Sequence, residues 1–182
     1  MPMLEQRIQQ QFFESADLLS QTAEALSKPI ADAAQTLLGC IVAGGKVMLF
    51  GSGPALALAQ HGAALMIGRF ERERPGLAAL AVSAETEVRA LGAPGDVLLA
   101  ISAGRPLPAL LATVAAAQAK DMTIVALTGL DAGGLLECLS ETDVHIAVPH
   151  ERAARILEVH TLALHCLCDA LDLQLLGEQE PS

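Results

Sequence analysis

The sequence predicts an α/β protein built on a doubly wound, five-stranded parallel sheet flanked by helices, with further helices at its N-terminus. Five short apolar runs follow residue 45 without polar alternation, which is typical of strands buried on both faces. Helical stretches separate these runs, as crossovers between parallel strands require. The chain has 182 residues, and 52% of them are hydrophobic, which suffices for one domain with a sizeable core.

Two helices are predicted before the sheet. An apolar stripe runs through the first of them, from Leu4 to Leu26, and consists of Leu4, Ile8, Phe12, Leu18, Leu19 and Leu26. Ser27 suits an N-cap with Pro29 in the following turn, so a second helix is expected from Pro29 to Val42. We therefore divide the chain into residues 1–44, which form part of the same domain and serve oligomerisation, and residues 45–182. The stripe packs either on its own domain or against another subunit.

The remaining elements follow in alternating order. The predicted strands are Lys46–Phe50, Leu77–Val82, Val97–Ile101, Thr123–Leu127 and Val144–Val148. The predicted helices are Ala55–Ile67, Ala84–Leu91, Leu107–Ala119, Gly133–Leu139 and Arg152–Leu173. Between the second and third strands only Ser83 to Gly95 remain, close to the dozen residues that a parallel crossover needs. No functional loop fits there.

Charge and cysteine content narrow the functional classes. The net charge of −10 disfavours direct binding to nucleic acid, which attracts basic surfaces. Four cysteines lack paired metal-binding spacing, and those in predicted helices resemble small core residues. The first residues do not resemble a signal peptide, and no uncharged run is long enough to span a membrane. We expect a reduced, soluble, cytoplasmic protein.

Ligands of open parallel sheets bind beyond the carboxyl ends of the strands. Three loops qualify here, and their candidate phosphate-binding residues are Gly51, Ser52, Gly53, Ser102, Gly104, Arg105 and Thr128. Glycines let backbone amides approach a phosphate at a helix N-terminus. Pro54 removes one such amide, however, so a plain strand-to-helix turn is an equally good interpretation of the first loop.

Two histidines, His61 and His160, lie on predicted helices near these loops. A metal site would need a further ligand one turn away, but Leu65 follows His61 and Ile156 precedes His160 at that spacing. His165 lies about 140° around the helix from His160. No metal and no cofactor are therefore expected.

Several motifs together resemble the sugar isomerase (SIS) domain of the phosphoheptose isomerase group. They are Gly51–Gly53, Gln60–His61, Gly68–Pro75, Pro94–Ser102, Asp121–Gly129, Ala153–His160 and His165–Asp169. The last looks closest to the branch that contains the DnaA initiator-associating protein DiaA. The resemblance implies the predicted sheet, assembly as a tetramer, and interconversion of sedoheptulose 7-phosphate and a heptose phosphate. A Glu and a His transfer protons in these enzymes, often with a metal.

The same resemblance implies a degraded site. The histidines are retained as His61 and His160, but the family's Glu is Leu65, and its Asp and Gln are Ala154 and Leu157. The hydroxyl-rich phosphate loops are reduced, and a segment between the second and third strands is absent.

Three functions are compatible with these residues. The first is a non-catalytic, oligomeric adaptor for the replication initiator DnaA, in which His61, His160 and Glu158 are vestigial. The alternative is a phosphoheptose isomerase that uses those three residues in new roles. The third is a sensor that binds a sugar phosphate without turnover.

Overall fold

The computed structural model describes residues 2–178 as six α-helices and five strands. The helices are α1 (Pro2–Val42), α2 (Leu56–Ile67), α3 (Glu85–Leu91), α4 (Pro108–Gln118), α5 (Leu135–Cys138) and α6 (Ala153–Leu176). The strands are β1 (Val47–Gly51), β2 (Ala79–Val82), β3 (Val97–Ile101), β4 (Thr123–Thr128) and β5 (Val144–Ala147). Within this range, no helix combines the length and the hydrophobicity needed to cross a membrane.

The five strands form one parallel sheet in the order β2-β1-β3-β4-β5. This confirms the predicted doubly wound fold. Alternate residues of each strand enter two cores, so Leu99 packs in the core shared with α1, α2 and α6. Its neighbour Leu98 packs in the core shared with α3 and α4. Both residues are fully buried, which explains why the central strands read as unbroken apolar runs.

The N-terminal region is one continuous helix, so the prediction of two helices separated at Ser27 is wrong. Pro29 lies inside α1, and the Ser27 hydroxyl donates to the Ala23 carbonyl within the helix instead of capping a new one. An interior proline costs about 3 kcal/mol through its missing hydrogen bond and its ring. Burial of Ala33 and Leu37 against the domain shortly afterwards offsets that cost and keeps the helix intact.

The short crossover between β2 and β3 consists of α3 and the turns on either side of it. The Glu87 carboxylate accepts hydrogen bonds from the backbone amides of Ser83 and Ala84 and so fixes the start of α3. The backbone hydrogen bond from Ser83 lowers the pKa of Glu87. As predicted, a short helix fills this connection and leaves no loop to extend over the ligand site.

A buried ion pair ties the segment after α2 to the last helix. Arg74 Nε donates to Asp172 Oδ1 at 2.5 Å, and both side chains are 1% exposed. The terminal nitrogens of Arg74 donate to the carbonyls of Met66 and Leu65, at 2.9 and 3.0 Å. The guanidinium therefore replaces its lost water with protein acceptors, as a buried charge requires.

The cysteines only partly match their predicted role as core residues. Cys40 and Cys168 are buried, and burial raises the pKa of Cys168 to about 12. Cys166, two residues earlier on α6, is exposed because it lies on the opposite face of the helix. All four cysteines are unpaired.

The predicted apolar stripe of α1 divides into two parts. Leu18 and Leu26 are buried against the domain. Nearer the N-terminus, Leu4, Ile8 and Phe12 are 65%, 49% and 73% exposed. Three large apolar side chains in a row on one helix face form a patch that a monomer rarely leaves in water.

We predict that the protein is a homo-oligomer, most simply a tetramer, assembled through this exposed part of α1. Replacing Leu4, Ile8 and Phe12 together by Ser should lower the mass measured by light scattering at micromolar concentration, because it removes the apolar contact. Gln9→Ser, on the same exposed stretch of helix, is the control and should leave the mass unchanged. A wild-type mass near 19 kDa would refute the prediction, since one chain weighs 18.9 kDa.

We also predict that Arg74→Met lowers the free energy of unfolding by about 3–5 kcal/mol, because it leaves the buried Asp172 carboxylate without its ion-pair partner. The double variant Arg74→Met with Asp172→Leu should recover most of that loss. Urea unfolding measures both. Lys28→Met, which breaks the exposed Lys28–Asp32 pair, is the control and should change stability by less than about 1 kcal/mol. Additive losses in the double variant would contradict the role of the pair.

Candidate functional site

The candidate site lies where the strand order reverses, between β1 and β3. The segment after β1 turns sharply: a Cβ at Gly51 would collide with the Ala55 carbonyl, and Gly53 has a φ of +58°. The Ser52 amide donates to the Ile101 carbonyl at the end of β3. The loops after the two strands therefore lie side by side, as is usual at a switch point that binds ligands.

These two loops enclose a cavity of about 200 Å³. Its lining residues are Ser52, Gly53, Pro54, Ser102, Ala103, Gly104, Arg105, Leu107 and Ala153. Five of the seven predicted phosphate-binding residues are thus brought together. The other two are not: Gly51 forms the turn beneath, and Thr128 is fully buried at the end of β4.

The polar groups of this cavity suit a small anion. Arg105 is exposed, and its side-chain stem lies over Gly133, with its Cγ 3.7 Å from where a Cβ on that glycine would be. The Ser102 hydroxyl donates to the Gly104 carbonyl at 2.7 Å, so its single proton is already used. Arg105 is therefore the main source of positive charge at this site.

A larger cavity of about 550 Å³ adjoins the first and shares Gly104 and Arg105 with it. Its other lining residues are Leu130, Asp131, His150, Glu151 and Ile156. They come from the loops after β4 and β5 and from the start of α6. Its wall combines carboxylates, an imidazole and a guanidinium, which together can bind hydroxyl groups as donors and as acceptors.

The histidine that meets His61 is His165. Their Nε2 atoms lie 3.0 Å apart, so one ring donates a proton and the other accepts it. The two rings meet edge to face, and Phe70 packs against His165 with a centroid distance of 5.5 Å. Both histidines are half-buried. The pair joins α2 to α6 and places an acid and a base within one hydrogen-bond length.

His160 lies elsewhere on α6. It is fully buried, and its Nε2 lies 3.1 Å from the Thr128 carbonyl, to which it donates. Its Nδ1 has no hydrogen-bond partner among the described residues. Burial lowers the pKa of His160 to about 4. The ring is therefore neutral at physiological pH, and its hydrogen bond joins α6 to the end of β4 and not to His61.

The comparisons with known proteins agree with this architecture. Residues 11–91 match a family model described as the SIS domain. A phosphoheptose isomerase from Methylibium petroleiphilum is 58% identical, and the alignment covers 99% of both chains. The chain belongs to the SIS-domain family. A DnaA initiator-associating protein DiaA from Klebsiella pneumoniae is 43% identical over 96% of this chain and 98% of that protein. The structure of phosphoheptose isomerase GmhA from Neisseria gonorrhoeae superposes with a TM-score of 0.86 and is 37% identical, covering 93% of this chain and 98% of that one.

The alignment with the Methylibium member of the SIS family spans 198 positions, although this chain has only 182 residues. That relative therefore carries residues that this chain lacks, in agreement with the predicted loss of a segment. The sequence favours the adaptor, with the isomerase as the alternative. The comparisons support phosphoheptose isomerase better than the adaptor.

The site residues do not fit the metal that the SIS-family resemblance implies. Zinc sites use at least three protein ligands. Leu65, one turn after His61, has no atom that could bind a metal. Leu157, on the same helix α6 as His165, has none either. In the part of the chain that the structure describes, no group of three His, Cys, Asp or Glu side chains could hold a metal ion. The chemistry that the His61–His165 pair can offer with its own atoms is the donation and acceptance of protons.

Glu158 has a structural contact in this SIS domain. Its carboxylate accepts a hydrogen bond from the Ser15 hydroxyl of α1 at 2.6 Å and pairs with Arg155 at 2.7 Å. Arg155 Nη1 also donates to the Gln11 carbonyl. These contacts fasten α1 to α6, so the carboxylate is not free to serve as a base.

The spacing of residues in the sequence does not identify His165 as the partner of His61. Spacing along α6 relates it only to His160, and the two point in different directions. The signal that could have found it is the approach of α2 and α6 on one face of the sheet, since a pairing between helices is invisible to spacing within one helix.

We predict that His160 makes stability depend on pH. Because the folded-state pKa is about 4 and the usual value is 6.5, the unfolded chain binds this proton more tightly. The contribution is therefore complete above about pH 6.5 and is lost towards pH 4, at up to about 1.4 kcal/mol per unit. Urea unfolding at several pH values measures it. Between pH 6.5 and 4.5 the free energy of unfolding should fall less in His160→Leu than in wild type. Identical slopes of this free energy against pH would show that His160 is not the group responsible.

Proposed function

We propose that the protein is a sugar-phosphate isomerase that interconverts sedoheptulose 7-phosphate and an aldoheptose phosphate. The observation that carries the proposal is the 3.0 Å contact between His61 and His165, next to a fold whose relatives are named phosphoheptose isomerase. It differs from the alternative in which His61, His160 and Glu158 act in new roles, because His160 is buried and Glu158 is engaged with α1.

The chemistry requires a base and an acid close together. Conversion of a ketose to an aldose removes a proton from the carbon beside the carbonyl and protonates the carbonyl oxygen, which gives an enediol. Return of a proton to the former carbonyl carbon, with loss of the hydroxyl proton on the carbon that was deprotonated first, completes the aldose. A substrate that separates the two imidazoles meets one bare nitrogen and one N–H, which supply the base and the acid. Leu65 and Leu157 both pack against the hydrophobic core, so neither adds a polar group to these transfers.

Binding of the phosphate rests on the cavity at the switch point. Arg105 supplies a charge and a planar fork of donors, which suit phosphate oxygens. Gly53 allows close approach of the backbone at the turn before α2. The proposal places the phosphate of the substrate in this cavity and its carbonyl carbon at the histidine pair.

The first test is turnover of sedoheptulose 7-phosphate by purified protein. His165→Gln and His61→Gln should each lower kcat by about 10²-fold or more, because each removes a positioned acid or base. Cys166→Ala, on the exposed face of α6 beside His165, is the matched control and should keep the wild-type rate. Wild-type protein without turnover would refute the proposal.

We infer a second candidate, an oligomeric adaptor for DnaA, from the replacement of polar groups by Leu65 and Leu157 and from the 43% identity to a DiaA protein. A pull-down with DnaA, done on the same preparation as the assay, separates the two functions. Binding of DnaA without turnover supports the adaptor. We propose the cytoplasm for either function, because cysteines without disulfides suit a reducing compartment.

A further inference from the structure

The end of β4 is held by two histidines for which neither the proposed reaction nor the phosphate cavity has a use. Thr128 is fully buried, and its carbonyl accepts from the Val148 amide at 2.9 Å and from His160 Nε2 at 3.1 Å. Its hydroxyl lies 2.8 Å from His145 Nε2 and 3.0 Å from the Gly129 carbonyl. Thr128 is therefore bonded from β5 and α6 at once.

The proton inventory fixes the state of both rings. A carbonyl only accepts, so His160 must carry its proton on Nε2. The Thr128 hydroxyl has one proton, which the Gly129 carbonyl can accept, so His145 Nε2 must donate to the hydroxyl oxygen. Burial lowers the pKa of each histidine and keeps both neutral. The result is a directed chain from His145 through Thr128 to Gly129.

The hydrogen bonds from His145 and His160 fix the Thr128–Gly129 segment, which forms part of the wall of the larger cavity. A Cβ at Gly129 would collide with Ile156 and lie 3.2 Å from the His150 carbonyl, so the backbone here is wedged against α6. The Leu130 amide donates to the His150 carbonyl at 3.1 Å. Leu130, His150 and Ile156 all line the 550 Å³ cavity.

We propose that His160 and His145 are positioning residues that hold the Thr128–Gly129 turn and thereby shape the larger cavity, which receives the part of the ligand next to its phosphate. This inference rests on the proposed function for its ligand. Neither histidine touches the ligand: each acts through Thr128. Because the wall lies away from the proton-transferring pair, the two histidines govern substrate affinity more than the rate of the bound complex.

The test compares His160→Gln, which keeps a donor of similar reach, with His160→Leu, which has none. His160→Leu should raise KM for sedoheptulose 7-phosphate by about tenfold, the value of one hydrogen bond, with kcat within about twofold. His160→Gln should restore KM to within about twofold of wild type. Assays run at a temperature where unfolding curves show all variants folded. An unchanged KM in His160→Leu, or an equal loss in both variants, overturns the proposal.

Two measurements keep this outcome separate from the proposed function. Nitrogen-15 NMR of labelled histidine should show the Nε2–H tautomer for both rings, and the other tautomer would overturn the chain. Hydrogen exchange of the Val148 and Leu130 amides should accelerate in His160→Leu, while that of Ile124 in the middle of the sheet stays slow. If wild type neither binds nor converts sedoheptulose 7-phosphate, the isomerase fails. The exchange of the Val148 and Leu130 amides then decides the inference, which is overturned if His160→Leu leaves that exchange unchanged.

Discussion

The site depends on the adjacency of β1 and β3, two strands that are not consecutive in the chain. Their register pairs Val47 with Val97 and Gly51 with Ile101, so both strands end at the same level. From there one connection runs to α2 on one face and the other to α4 on the opposite face. The two loops diverge around a gap that neither side fills. A ligand site at this point is thus a consequence of strand order, before any side chain is chosen.

Environment gives the histidines of this protein different chemistry. His61 and His165 share a hydrogen bond at the meeting of two helices, in which one ring donates and the other accepts. His160 lies five residues earlier on the same helix, but it faces the sheet and is kept neutral by burial. One helix thus carries a half-buried ring that pairs with another histidine on one side and a buried hydrogen-bond donor on another. Their separation on α6 follows from the 3.6-residue repeat.

Much of the fold could be predicted from the sequence, because unbroken apolar runs are a local signature of a parallel sheet. The part of the site that the loops after β1 and β3 form could also be predicted. Five of the predicted loop residues, from Ser52 to Arg105, line one cavity. Prediction failed where tertiary contacts decide. Pro29 stays helical because the residues after it are buried, and His165 meets His61 because α2 approaches α6. The sequence predicts Thr128 to be a ligand-binding residue, but its hydroxyl donates to the Gly129 carbonyl.

The ion pair between Arg74 and Asp172 has a consequence for the order in which the chain matures. The two residues are separated by 98 positions, and each is buried in the finished fold. A growing chain on the ribosome exposes Arg74 long before Asp172 has been made. Until α6 emerges, the segment after α2 has no counter-ion, and the apolar cover that α6 provides over the sheet is also missing. A chain that stops before α6 therefore lacks both the partner of Arg74 and the apolar residues with which α6 completes the core.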